Sequence, residues 1–350
     1  MNPIVLVGVA ASLLAAGAVL ALVRPVLRAR MLGPAVIATL ASGVLVVVPG
    51  RLLGLGSPEF LIGIAAFALP VMLLLEAAAT ASGADAFARR LLMLVWGLVV
   101  FPVSALLPLA LTSGCLAPEC GFEDFGAALP LLVSSSAFVV LAWLPAGVHE
   151  RAALDRSSGR RAVVAGLVLW LAAAVWLAHL EGVVDDFTPR ILLAAVVGPL
   201  GGAVGWLVVD VLRDTRGSTA RSLMLGLVAG MVATLPGAVT VGLPWLPITG
   251  LIAGGLAALL YSWRGVEGTS LAARWGVAIL VAAGTGFLAP AISGDTVGII
   301  FAARASVLTV PLLAFSAVAV FSVAVSAPVW VLVRRHAARE RIPDQIVASE

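Results

Sequence analysis

The stretch 191–212, ILLAAVVGPLGGAVGWLVVDVL, holds a single charged residue, Asp210, and runs straight into Arg213, Arg216 and Arg221. A hydrocarbon core about 30 Å thick takes roughly 20 apolar residues in helix. The stretch is therefore long enough to cross a bilayer, with arginines at one end to mark a side. Working outward, ten further stretches read the same way: 3–23, 31–49, 60–82, 91–112, 126–148, 162–180, 222–242, 245–263, 275–292 and 305–333. The gaps between them alternate in charge. With the amino terminus outside, the inner segments hold Arg24, Arg28, Arg30, Arg89, Arg90, Arg151, Arg156, Arg160, Arg161, Arg213, Arg216, Arg221, Arg264, Arg274, Arg334, Arg335, Arg339 and Arg341. The outer segments hold only Arg51, Arg190 and Arg304. Inner loops of membrane proteins are the Arg- and Lys-rich ones, so this bias selects N-terminus out and C-terminus in. The expected fold is all-α and integral to the membrane, with eleven transmembrane helices.

Composition agrees, at 62% hydrophobic and 11% charged residues with a mean hydropathy of +1.15. That excludes an ordinary soluble domain. The formal charge of +3 does not point to nucleic acid, because the cations sit in short inner segments where they orient spans and meet anionic headgroups. With short loops no separate soluble domain fits. Residues 1–335 are read as one membrane domain and 336–350 as a short inner tail. An odd span count permits two inverted five-helix halves plus one extra C-terminal helix, an arrangement common in transporters. The first span begins at Pro3 without a basic segment before it, unlike a cleaved signal peptide. Cys115 and Cys120 share the outer loop after the fourth span. A close pair on an oxidising side can form a disulfide, and two incidental thiols is the equal alternative. Gly226 and Gly230 form a small-xxx-small step, and Gly250, Gly254 and Gly255 resemble it, which suggests close helix packing.

Several motifs resemble the ammonium transporter and Rhesus family. Gly205-Trp206, the acidic Asp210 four residues after the Trp, and the basic turn ending at Ser218 follow the family's pattern. The likeness continues through Gly226 and Gly230 to Pro236. The basic link from Arg28 to Pro34 is similar to the family's first inner loop, and Asp124-Phe125-Gly126-Ala127 to the Asp-Phe-Ala-Gly that opens its fifth span. The resemblance is moderately specific over 176–240 and weak elsewhere. It implies a homotrimer with a narrow pore in each protomer. It also implies recruitment of ammonium at an outer vestibule, passage past stacked aromatic rings, and two facing histidines from the fifth and tenth spans. Those histidines matter because a bare cation in a low-dielectric pore is very costly.

Here both histidine positions have changed. The first falls on Leu132, with Ser134 in place of the Asn that follows it. The second, read from Gly276-Val277, falls on Trp275. Trp176 takes the place of the sixth-span gating aromatic, where it could hold a cation by its ring face or simply pack. Leu180 replaces the Ser of the recruitment site, and 106–110 has no Trp for it. The third-span gating Phe cannot be placed. His179 could supply a titratable group to the vestibule, but a polar interfacial role is the favoured reading. Asp124 is read as a helix cap that shapes the pore mouth, Asp210 as structural, and Ser134-Ser135-Ser136 as a helix contact rather than pore lining. Glu76 is the one acid in mid-span, which makes it a site candidate whose partner the sequence does not name.

Without His/Cys metal spacing, a nucleophile–His pairing or a Gly-rich phosphate loop, no cofactor and no enzymatic role are expected. The family's regulatory tail, which meets PII-type proteins, is not recognisable in 334–350, so such a regulator is doubtful. The leading expectation is a channel in a cell membrane, bacterial by preference, for ammonia or another small neutral solute. The alternative is a non-conducting scaffold, sensor or partner subunit.

Overall fold

The computed structural model describes residues 3–23, 25–81, 86–112, 122–140, 159–214, 219–263, 271–295, 298–302 and 305–347. Among these, seven helices are long and apolar enough to cross a membrane, and four shorter apolar helices accompany them. In chain order they match the eleven stretches. They are α1 (Pro3–Leu22), α2 (Pro25–Leu52), α3 (Pro58–Ala81), and α4, which runs Ala86–Val95 through a π turn at Trp96–Val100 into Phe101–Thr112. Next, α5 joins a π turn, Leu129–Val133, to Ser134–Val140. The remainder are α6 (Gly159–His179), α7 (Thr188–Leu212), α8 (Thr219–Thr234), α9 (Trp245–Tyr261), α10 (Leu271–Ser293) and α11 (Thr309–Val347). The expected boundary at 335/336 falls inside α11, which continues as one helix to Val347. Cys115, Cys120 and the second half of the expected fifth span lie outside the described residues.

The helix starts follow capping chemistry. Ser57 Oγ accepts the Phe60 N–H at 3.1 Å, and Pro58 occupies the first turn of α3, where a missing N–H costs nothing. Asp185 Oδ1 takes the Phe187 N–H at 2.8 Å just before α7. Hydroxyls inside spans are satisfied within their own helix. Ser12, Ser42, Thr234, Ser293 and Ser322 each donate to the carbonyl four residues back, the usual solution where water is absent.

Packing repeats between the two halves. α2 rests on α3 as α7 does on α8, and α1 meets α3 as α6 meets α8. α4 meets α5 as α9 meets α10, while α1–α6 and α5–α10 pair across the halves. α11 lies against α4, α5 and α10. The inverted five-helix arrangement is thus visible in the contacts although no sequence repeat announces it. The tightest seam is α7 against α8 and α9. A Cβ on Gly202 would sit 2.3 Å from the Gly226 carbonyl oxygen, and one on Gly254 only 2.1 Å from that of Gly202. Backbone touches backbone here, which only glycine permits.

Side chains mark the two faces. At the inner end of α7–α10, Arg213 Nη1 donates to Ser262 Oγ at 2.8 Å and Arg221 Nη2 to the Tyr261 hydroxyl at 2.6 Å. At the outer end, Arg190 bonds Asp295 at 2.7 Å and the Val241 carbonyl at 3.3 Å, beside an isolated bridge between Val241 and Gly294. Glu76 is 4% exposed, and its carboxylate lies 3.9 Å from Arg89 Nε on α4. Arg89 is therefore the partner for the mid-span acid that the sequence left unnamed.

Candidate functional site: a stacked aromatic pair and the start of the fifth helix

The outer part of the site is built by α3 and α6. The rings of Phe67 and Trp176 stack with centroids 4.2 Å apart and planes inclined by 27°. Trp176 is fully buried, and its indole N–H donates to the Gly63 carbonyl at 2.9 Å, one helical turn before Phe67. The bond fixes the indole plane, and the stack follows from it. The sequence did not single out Phe67 as the partner of Trp176. Its signal was weak, because Phe60 and Phe67 lie seven residues apart and either could be brought to this level.

His179 and Leu180 end α6 beside the same glycine. Both are buried, at 4% and 5% exposure. The imidazole is wedged between α1 and α3: a Cβ on Gly8 would come within 2.4 Å of the ring, and one on Gly63 within 2.5 Å. Neither ring nitrogen has a hydrogen-bond partner among the described residues. The His179 ring is therefore packed between helices rather than exposed at the surface. It is a wedge in the helix packing behind the Phe67–Trp176 pair.

The mouth of α5 is set by Asp124. Its carboxylate accepts the N–H groups of Ala128 at 2.6 Å and Leu129 at 2.9 Å, and so caps the helix as expected. Phe125 and Gly126 donate their N–H groups to the Pro236 and Leu235 carbonyls, tying this mouth to the end of α8. A Cβ on Gly126 would stand 2.6 Å from Leu235, so the close approach requires glycine. Burial pushes the Asp124 carboxyl up to about 7, against the pull of its two N–H donors. Burial likewise raises neighbouring Glu123 to about 7, with the Thr240 hydroxyl bond opposing it.

In the middle, Leu132 lies in the π turn Leu129–Val133, half-buried against the apolar core. Ser134 follows it and is fully buried. It accepts the Trp96 indole N–H at 3.1 Å and donates to the Pro130 carbonyl, so its polarity is spent within the bundle. Ser135 likewise donates to the Leu131 carbonyl. Ser134 thus makes a contact to α4, whereas the Ser135 bond stays within α5. Each of α4 and α5 carries a π turn, and Trp96 of the first bonds Ser134 just after the second, a departure from regular helix that sequence periodicity does not reveal.

Trp275 stands apart from Leu132. It makes an edge-to-face contact with Tyr261, centroids 6.0 Å apart, at the inner end. Its neighbour Gly276 backs onto Ser136 and Val139, four to seven residues beyond Leu132, which at 1.5 Å per residue is about 6–10 Å further inward. Leu132 and Trp275, the positions onto which the two histidines of the resemblance fall, therefore lie at different levels. α10 runs antiparallel to α5, and its register puts later residues at the level of Leu132.

No family model matches the chain, and no curated protein matches it by sequence. Solved structures do match. The chain is similar to Mep2 of Saccharomyces cerevisiae, with a TM-score of 0.73 at 14% identity over 94% of this chain and 84% of that one. It is similar to the delta442 mutant of Candida albicans Mep2, with a TM-score of 0.76 at 16% identity over 98% and 94% of the two chains. It also matches Rh50 of Nitrosomonas europaea, a structure titled for conduction by the Rhesus protein family of channels, with a TM-score of 0.68 at 16% identity over 94% and 87%. With alternating arginines, inverted halves and a stacked aromatic pair in place, the chain has the fold of the ammonium transporter and Rhesus family.

Proposed function

We propose that this protein is an ammonium-transporter-like membrane channel that passes ammonia or another small neutral solute, not a cation, through a narrow apolar path in each protomer. The observation that carries the reading is the stacked Phe67–Trp176 pair above a middle with no imidazole. An aromatic stack can strip and orient a small polar solute, and a ring face attracts a cation by roughly 0.5–2 kcal/mol. Below it Leu132 and the self-satisfied Ser134 offer nothing to relay a proton. An unneutralised ion in such a path carries a penalty of several kcal/mol, so the neutral form is the one that crosses. The protein works in a lipid bilayer, as a homotrimer in a bacterial plasma membrane, and without catalysis.

The test is flux into proteoliposomes. With an inward ammonium gradient, vesicles holding the protein should alkalinise faster than empty vesicles, with little or no current on a solid-supported membrane. Equal rates would remove the channel reading in favour of a non-conducting scaffold or partner subunit. A large saturable current would remove the neutral-solute reading.

A further inference from the structure

We propose that the inner ends of α7–α10 bind the phosphate of an anionic phospholipid of the inner leaflet, with Arg213, Arg221 and Arg274 as the cations that hold it. The inference is independent of any solute that the pore passes.

The three guanidinium groups converge on two consecutive residues at the end of α9. The carbon of the Arg221 guanidinium lies 5.9 Å from the Tyr261 ring centroid and that of Arg274 lies 5.5 Å from it. Tyr261 is the only tyrosine in the chain. Arg213 reaches Ser262 next door, through its hydroxyl at 2.8 Å and its carbonyl at 3.3 Å. These bonds use one nitrogen of Arg213 and one of Arg221, whereas a guanidinium carries five N–H donors. Arg274 Nε is buried with no partner, and among the described residues no carboxylate forms a salt bridge with any of the three. Among the described residues, N–H donors on these guanidinium groups are therefore left over.

The helix ends add to the excess. Arg221 and Arg274 sit in the first turns of α8 and α10, where the helix dipole is already positive and a cation is disfavoured. An anion between them relieves both repulsions, and a phosphate oxygen pair matches the planar fork of a guanidinium. Apolar surface borders the cluster on the bilayer side. Val211 and Leu212 are each 79% exposed and Trp263 is 54% exposed. A phosphate tied to acyl chains satisfies both surfaces, whereas a free phosphate satisfies only the cations. That favours the lipid as the source.

The test measures binding to the full-length protein in neutral detergent by native mass spectrometry, with short-chain phosphatidylglycerol, short-chain phosphatidylcholine and inorganic phosphate as probes. Phosphatidylglycerol should bind about tenfold more tightly than phosphatidylcholine, and Arg221→Gln/Arg274→Gln should abolish most of that difference. Arg160→Gln/Arg161→Gln, inner arginines outside the cluster, should keep it. Equal loss in both double variants would overturn the site in favour of diffuse inner charge. Unchanged binding in the first double variant would overturn it outright, and displacement of the lipid by millimolar inorganic phosphate would overturn the lipid assignment. If the double variant does not fold, Arg213→Gln, whose side chain is exposed, serves in its place with the same expected loss of preference.

Discussion

The Trp176 indole donates its N–H to the carbonyl of Gly63, 113 residues upstream, and that bond at 2.9 Å sets the plane on which Phe67 stacks. Trp176→Phe keeps an aromatic face but loses the indole hydrogen bond to a carbonyl that the helix already pairs, a cost of about 0.5–1.5 kcal/mol. Trp176→Ala also opens a cavity and costs about 3–5 kcal/mol. Thermal unfolding in detergent should rank them in that order. Flux should persist in the Phe variant and lose its solute selectivity in the Ala variant; identical unfolding temperatures in both would contradict the assignment.

Gly8 and Gly63 hold the His179 ring between them. Gly8→Ala should therefore destabilise the protein by about 1–3 kcal/mol, as overpacking does. Combining it with His179→Ala should recover part of the loss, because the methyl then has room. The unfolding temperatures of the two single variants and the double variant measure this coupling. Strict additivity would show that the ring is not the obstacle.

Gly202 meets the backbone of α8 and α9 with no space for a methyl. Gly202→Ala has no flexible side chain to push aside. It should reduce stability more than Gly17→Ala, where a Cβ meets nothing within 4 Å. The difference should be about 1–3 kcal/mol by thermal unfolding. A smaller effect at Gly202 than at Gly17 would disprove the close seam.

Glu123 lies at the outer mouth, and burial raises its carboxyl from 4.5 to about 7. The folded protein therefore binds a proton there that the unfolded chain releases between those two values. Stability from this group is complete below about pH 4.5 and falls as pH rises through about 7. Asp124, raised in the same sense, adds to the slope. Unfolding temperatures should decline from pH 5 to pH 8, and Glu123→Gln, which keeps an acceptor for Thr240, should flatten part of that decline. A variant with the parent's slope would show that Glu123 does not titrate in this range.

The eleven crossings were legible because arginine placement and span length are written residue by residue, from Arg28 to Arg274. Trp176 and the Asp124 cap were legible through their motifs. Phe67 was not, since its span offers two phenylalanines and no anchored motif to choose between them. The π turns at Trp96–Val100 and Leu129–Val133 left no trace in the apolar pattern, because shifting a hydrogen bond by one residue does not change which residues are apolar. The level of Trp275 was misjudged for a related reason: a Gly-Val pair identifies a motif but not the register of α10 against α5. The inverted halves are a property of contacts, and the two sets of helices that make them share no readable repeat.

The methyl-free seam joining α7 to α8 and α9 makes the two halves mechanically unequal. Three helices whose main chains touch cannot slide past one another without collision, so they behave as a single stiff slab. Across the axis, α1 and α3 close around the His179 ring. The mirrored architecture thus pairs one wall of interlocked main chains with one spaced by a side chain.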